Sequence, residues 1–287
     1  MVSVPGLSMG QYQGLDAWFV RTPFSTAVIS VFGGQLLSFI PEGERDLLWL
    51  SPTRQPLPTP IRGGTPVCWP YFARQGQPAS APAHGSVRTQ PWRLVEASAQ
   101  DAGSVCVLLE PETPASGPLR LRMELVVGAA LEQRLITENT GDSAWPLTQA
   151  LHNYFNVSDV DNVRIEGVDG LHYLDNYQGN APFPQHGPWQ LQDQRDPGRS
   201  DRIYIDAGGR YRIHDPQWKR SIVLQTGGSR SVVVWNPGQA IAAGMADVGL
   251  AWRGYVCVEA ANAGPDVITL LPGQAHVLQQ RMAVDAG

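Results

Sequence analysis

The 287-residue chain carries 21 Lys+Arg against 26 Asp+Glu, a formal charge of −5 with no basic run, which argues against nucleic acid as a partner. Hydrophobic residues make up 43% and charged residues only 16%, with 30 glycines and 24 prolines, so the chain is neither disordered nor built from long solvent-facing helices. No apolar run approaches the roughly 18 residues that span a bilayer, the N-terminus lacks a basic region followed by an apolar one, and Cys68, Cys106 and Cys257 show no paired spacing; the expectation is a cytoplasmic protein with no membrane partner and no disulfide framework.

The first strand signals lie in residues 25–39, where Thr26-Ala-Val-Ile-Ser-Val-Phe and Gln35-Leu-Leu-Ser-Phe-Ile flank the turn-prone pair Gly33-Gly34. Asp46-Leu-Leu-Trp-Leu continues a β-meander, and a long loop from Ser51 to Gln90 follows. Strand candidates resume at Trp92, Ser104, Leu119 and Leu131, the last two alternating apolar and polar residues as half-buried strands do. Leu147 to Val157 reads as another strand, followed by candidates at Arg164, Leu171, Arg202 and Tyr211. Residues 221–238 read as a hairpin, and strands at Gly254 and His276 end the chain. The spacing, with no internal repeat and no linker, predicts a single all-β domain over 1–287, a large antiparallel β-sandwich, with 1–23 as a loosely packed N-terminal segment.

The loop between Arg62 and Trp92 holds the densest chemistry. It carries Arg62, His84 and Arg88 among aromatics, with glycines and prolines that forbid a long helix, and binding residues gather on loops of this kind. Guanidinium forks match phosphate oxygens, so Arg62 and Arg88 are anion candidates, with the Gly63-Gly64 backbone as further donors; salt bridges to nearby carboxylates are the plain alternative. Trp69, Tyr71 and Trp235 suit the floor of a sugar site, although aromatic residues in a β protein more often pack a core. His152 is either a structural strand histidine or an acid. Glu259, in the apolar run Tyr255-Val-Cys-Val-Glu, alternates onto the face opposite Val256 and Val258. It is either an exposed edge residue or a buried carboxylate with a raised pKa and a task. Asp201 could accept a hydrogen bond from a ligand hydroxyl or simply precede a strand. HExxH, Walker A, GxGxxG and GxSxG are all absent, and the six histidines show no ligand spacing, so no metal and no nucleotide cofactor is expected.

With these residues in view, the chain resembles the hexose-6-phosphate mutarotases (glucose-6-phosphate 1-epimerases) of the aldose 1-epimerase superfamily. The likeness runs from about Phe24 to about Met282. Its marks, in order, are Leu48-Trp-Leu-Ser, Ile61-Arg-Gly-Gly-Thr-Pro-Val-Cys-Trp-Pro, Ala83-His-Gly-Ser-Val-Arg, Leu151-His-Asn-Tyr-Phe-Asn-Val, Ser200-Asp-Arg-Ile-Tyr, Val234-Trp-Asn-Pro-Gly and Val256-Cys-Val-Glu-Ala. The resemblance implies a β-supersandwich with an open sugar cleft, His152 as general acid, Glu259 as general base, Arg62 and Arg88 on a phosphate, and His84 and Asp201 on sugar hydroxyls. It further implies cofactor-free exchange of the anomers of a small phosphosugar, with His152 acting as imidazolium. A monomer or weak homodimer is expected. Ser86, Asn153 and Asn176 depart from the family pattern, where an aromatic, Thr and Lys are usual. Three other readings stand beside this one: a mutarotase for unphosphorylated aldoses, a non-catalytic carbohydrate-binding sandwich, and a glycosidase using Glu259 with Asp201.

Overall fold

The computed structural model describes residues 4–114, 117–193, 195 and 197–285. Two eight-stranded antiparallel sheets dominate. The first, which will carry the site, runs in the order Ala181–Pro184, His172–Asp175, Ser200–Ile205, Ser231–Asn236, Tyr255–Asn262, Gln149–Leu151 and Val67–Cys68, with Tyr154–Asn156 also pairing Tyr255–Asn262. The second runs Arg164–Glu166, Arg210–Asp215, Arg220–Gly227, Ala275–Val284, Leu131–Asn139, Leu119–Val127, Val105–Pro111 and Trp92–Ala99. A four-stranded meander, Leu7–Tyr12, Leu15–Arg21, Ser25–Ser30 and Leu36–Pro41, completes the main architecture.

The core forms between the sheets because period-2 strands turn one apolar face each toward the other. Leu119–Val127 and Leu131–Asn139 bury every second residue, and Leu131, Leu135, Leu278 and Met282 join Val256, Val258 and Ala260 in one buried cluster. The central strand Tyr255–Asn262 is buried on both faces along its whole length, which is why its sequence reads as a nearly continuous apolar run around one carboxylate.

The structure corrects several expectations. Residues 7–21 are not loosely packed: they form two strands, with Leu15, Ala17, Trp18 and Val20 buried. Residues 221–238 are not a hairpin, because Arg220–Gly227 belongs to the second sheet and Ser231–Asn236 to the first. The chain crosses between layers at Gly228, whose left-handed φ of +75° and would-be Cβ only 1.9 Å from the Val277 carbonyl oxygen admit no larger residue. The expected strand from Leu147 to Val157 is broken into Trp145–Leu147, Gln149–Leu151 and Tyr154–Asn156, leaving His152 and Asn153 between two of the pieces. No helix among the described residues is long and apolar enough to cross a membrane.

Candidate active site

The break at His152 is what builds the site. Leu151 pairs with Ala260 and Tyr154 with Cys257 on the same strand. That register, carried across the gap, sets His152 opposite Glu259. The imidazole Nε2 lies 3.4 Å from Glu259 Oε1, with Glu259 only 1% and His152 only 8% exposed. On its other side Glu259 pairs with Val233, and one step along the ladder Asp201 pairs with Trp235. Residues more than 100 apart in sequence thereby converge on one patch of sheet.

Asn153 turns the opposite way, into the core, and fixes the break. Its amide donates to the Val258 carbonyl at 2.9 Å and to Gln280 Oε1 at 2.7 Å, and its own oxygen accepts from Thr65 Oγ1 at 2.9 Å. Gln280 continues the chain to Gln133 at 3.0 Å. A buried polar network satisfied in this way is rigid, and here it holds the backbone that presents His152.

The cavity above the pair has a volume of about 200 Å³ and is lined by Arg62, Phe72, Ala73, His84, His152, Asn176, Asp201, Val233, Trp235 and Glu259. This is smaller than the ~300–1,000 Å³ of drug-sized sites and fits a small polar ligand. A larger recess of about 360 Å³ beside Trp92–Ala99 offers less chemistry, since its Arg93 and Arg120 are both paired with Glu110.

Of the residues singled out from sequence, His152, Glu259, Arg62, His84, Asp201 and Trp235 meet in this cavity. Trp69 does not. It is wholly buried, its indole N–H donating to Thr137 Oγ1 at 2.9 Å on the second sheet, so its ring fills core. Arg88 also lies outside the lining: its guanidinium donates to the Ala83 carbonyl at 2.9 Å within its own loop, although its charge still reaches His84 and His152. Nor is Gly64 a free donor. Its N–H bonds Trp49 O at 2.7 Å, and its left-handed φ of +61° is needed to pass Leu36, whose carbonyl oxygen would lie 2.2 Å from a Cβ.

Arg62 is held from two sides. Its Nε donates to Asp247 Oδ2 at 3.0 Å and its Nη1 to the Tyr154 hydroxyl at 2.9 Å. The Tyr154 ring stacks on His152 with centroids 4.9 Å apart and an interplanar angle of 8°. One contact chain thus runs from Asp247 through Arg62 and Tyr154 to the imidazole. Tyr154 and Asp247 were not singled out from the sequence, and nothing local marks them, because their partners lie 92 and 185 residues away. Asn176 lines the cavity and donates to Asp201 Oδ1 at 2.7 Å, so one of the departures from the family pattern sits at the site itself. His84 has a left-handed φ of +64°, is pinned by bonds in both directions with the Ala73 backbone, and turns its ring to within 5.8 Å of His152. A non-glycine residue in that region is worth reading as functional.

Burial governs the electrostatics. Desolvation, and then the charge of Asp201, push Glu259 well above the usual carboxylate range. Desolvation, then His84 and the cations Arg62 and Arg88, hold His152 well below its usual value. Asp201 is pushed up to about 6, chiefly by burial, and His84 is lowered to about 3 by burial and then Arg88, Arg62 and Arg74. Burial thus disfavours the charged form of both partners, imidazolium and carboxylate alike.

Residues 19–283 match the family described as aldose 1-epimerase. The chain belongs to the aldose 1-epimerase family. Within it, a Salmonella typhimurium protein provisionally named glucose-6-phosphate 1-epimerase is 35% identical over 89% of this chain and 86% of its own length. An Escherichia coli protein with the same provisional name is 34% identical over 96% of this chain and 92% of its own. The solved structure of a provisionally assigned mutarotase from Salmonella typhimurium superposes with a TM-score of 0.87 at 29% identity, covering 99% of this chain and 95% of that one. The all-β sandwich of this aldose 1-epimerase family member is shared with that solved structure over 99% of the chain.

Proposed function

We propose that this protein is an isomerase that interconverts the α and β anomers of aldohexose 6-phosphates, glucose 6-phosphate foremost. The observation that carries the reading is the contact of a buried imidazole with a buried carboxyl at 3.4 Å, inside a cavity that also takes in Arg62. The names of the relatives point the same way.

Anomer exchange requires one proton to leave the C1 hydroxyl and another to reach the ring oxygen. Glu259 as carboxylate takes the first, and His152 as imidazolium gives the second. The ring opens to the aldehyde, C1 turns about the C1–C2 bond, and the same groups acting in reverse close the ring on the other face. The neutral acid–imidazole pair that burial favours holds the same number of protons as the carboxylate–imidazolium couple. A single transfer across the contact converts one into the other, and the two groups titrate as a unit. Each step is a proton transfer or a bond rotation, so no cofactor is called for.

Trp235 supplies an apolar wall, while Asp201, Asn176 and His84 are placed to meet hydroxyls. Arg62 faces the phosphate, with Arg88 adding positive potential from behind the loop; a phosphate pairs with a guanidinium more strongly than a neutral hydroxyl does. The same reading puts the chain in a reducing cytoplasm, where its free Cys68, Cys106 and Cys257 persist as thiols.

One observation favours an unphosphorylated aldose instead: Arg62 is already paired with Asp247. Anomer exchange measured on glucose 6-phosphate, galactose 6-phosphate and glucose side by side separates the two. The phosphosugar reading predicts higher kcat/KM on the phosphates, and Arg62→Ala should erase most of that preference, since truncating one partner of a desolvated charged contact costs about 2–5 kcal/mol. Equal kcat/KM on glucose and its phosphate would transfer the assignment to free aldoses. Sugar binding without any acceleration of exchange would leave a binding module.

A further inference from the structure

The strand that presents Glu259 also presents a thiol that the proposed reaction does not use. Alternation puts Cys257 on the Glu259 face, and the ladder seats it between Tyr154 and Trp235. One imidazole nitrogen of His152, the Sγ of Cys257 and one carboxylate oxygen of Glu259 all lie within 4.8 Å of one another. All three side chains are buried, and Glu259 Oε2 has no hydrogen-bond partner among the described residues. An unsatisfied oxygen at that depth calls for a partner.

Nitrogen, sulfur and carboxylate oxygen from three side chains, with a fourth position left open, is a donor set that suits zinc. Zinc bonds of about 2.0–2.3 Å in a tetrahedron place donors roughly 3.3–3.8 Å apart. The His152–Glu259 separation of 3.4 Å already meets that spacing, and the Cys257 Sγ, within 4.8 Å of both, closes onto the ion as it binds.

We propose that His152, Cys257 and Glu259 form a site for a thiophilic divalent cation of the Zn²⁺ or Cd²⁺ class, and that its occupation switches off anomer exchange. The ion enters through the sugar cavity, which His152 and Glu259 line and beneath which Cys257 is buried, and its fourth position faces that cavity. The Cys257 thiol gives its proton to solvent on binding, as does the pair formed by His152 and Glu259, and no oxidation occurs. Such an ion is an inhibitor, not a cofactor. Its competition with phosphosugar rests on the proposed function; its binding does not.

Co²⁺ added to the untagged full-length chain without sugar should give a near-ultraviolet thiolate-to-cobalt absorption at one equivalent. Zn²⁺ should displace that signal, and Cys257→Ala should lack it. In the exchange assay, with free Zn²⁺ held by a metal buffer, Cys257→Ala should need at least about 10-fold more Zn²⁺ for half-inhibition. Should Cys257→Ala not fold, Glu259→Gln keeps the sulfur and loses an oxygen ligand, and its cobalt affinity should fall by at least about 10-fold. No thiolate band in the wild type, an undiminished band in Cys257→Ala, or equal cobalt affinity in Glu259→Gln would overturn the site. A chain that binds cobalt through Cys257 but turns over no sugar would uphold the metal site and defeat the functional reading.

Discussion

Asp201 shows how a single charge tunes the pair. It is the charged neighbour that raises Glu259, and it is itself ionised only above about 6. Asp201→Asn removes that negative charge, so the pair gives up its proton at a lower pH. The alkaline limb of the kcat/KM profile should move toward neutrality, while the acid limb, where Asp201 is already protonated, moves little. A parallel loss of rate at every pH, with both limbs in place, would make Asp201 a binding residue only. Tyr154 acts differently, as a positioning residue that accepts from Arg62 and stacks on His152. A hydrogen bond to a charged group is worth about 1.5–3 kcal/mol, so Tyr154→Phe should raise KM for glucose 6-phosphate by about 10-fold or more. Steady-state kinetics on glucose as well as its phosphate tells this from a general loss of fold, which would depress both.

At the scale of the element, the turn at Gly63-Gly64 that follows Arg62 passes between the Trp49–Leu50 backbone and Leu36 too closely to carry a side chain. Gly64→Ala forces a Cβ toward the Leu36 carbonyl oxygen at 2.2 Å and an alanine into φ +61°. The strain of that conformation alone is about 1–3 kcal/mol, visible as a lowered Tm, and phosphosugar turnover should fall with it. A Tm equal to that of the wild type would show that the turn relaxes freely. This is also the scale at which the sequence is most and least informative. Alternation in residues 119–127 and 131–139 announces the strands found there, because each has one face in the core. Leu7–Tyr12 escapes notice because its burial is partial and Gly10 interrupts it. The two strands of residues 220–236 look like a hairpin from their turn residues alone, and only their separate sheet partners show otherwise. His152 can be picked out as a candidate, but its place opposite Glu259 depends on a register between strands more than 100 residues apart, which no local pattern encodes. Trp69 carries the same composition signal as Trp235, and the difference lies in which sheet face each ring turns to.

At the scale of the molecule, the fold holds a buried carboxyl in the middle of a strand that is buried along its whole length. The folded-state pKa of Glu259 is raised above its unfolded value, so between the two the native chain binds more protons than the unfolded one, and stability falls as pH rises through that window. Glu259→Gln abolishes this loss and should melt higher than the wild type at alkaline pH, with the difference shrinking in acid. A wild type whose Tm is no more sensitive to alkaline pH than the variant would place that carboxyl in water.

The same variant bears on the proposed chemistry. Magnetisation transfer by NMR between the α and β anomers of glucose 6-phosphate reads ring opening and reclosure directly, with no coupling enzyme. General acid–base help is worth about 10²–10⁴-fold, so Glu259→Gln should lower kcat by at least about 100-fold while remaining folded. Exchange at close to the wild-type rate in that folded variant would contradict the assignment of Glu259 and His152 as the acid–base pair.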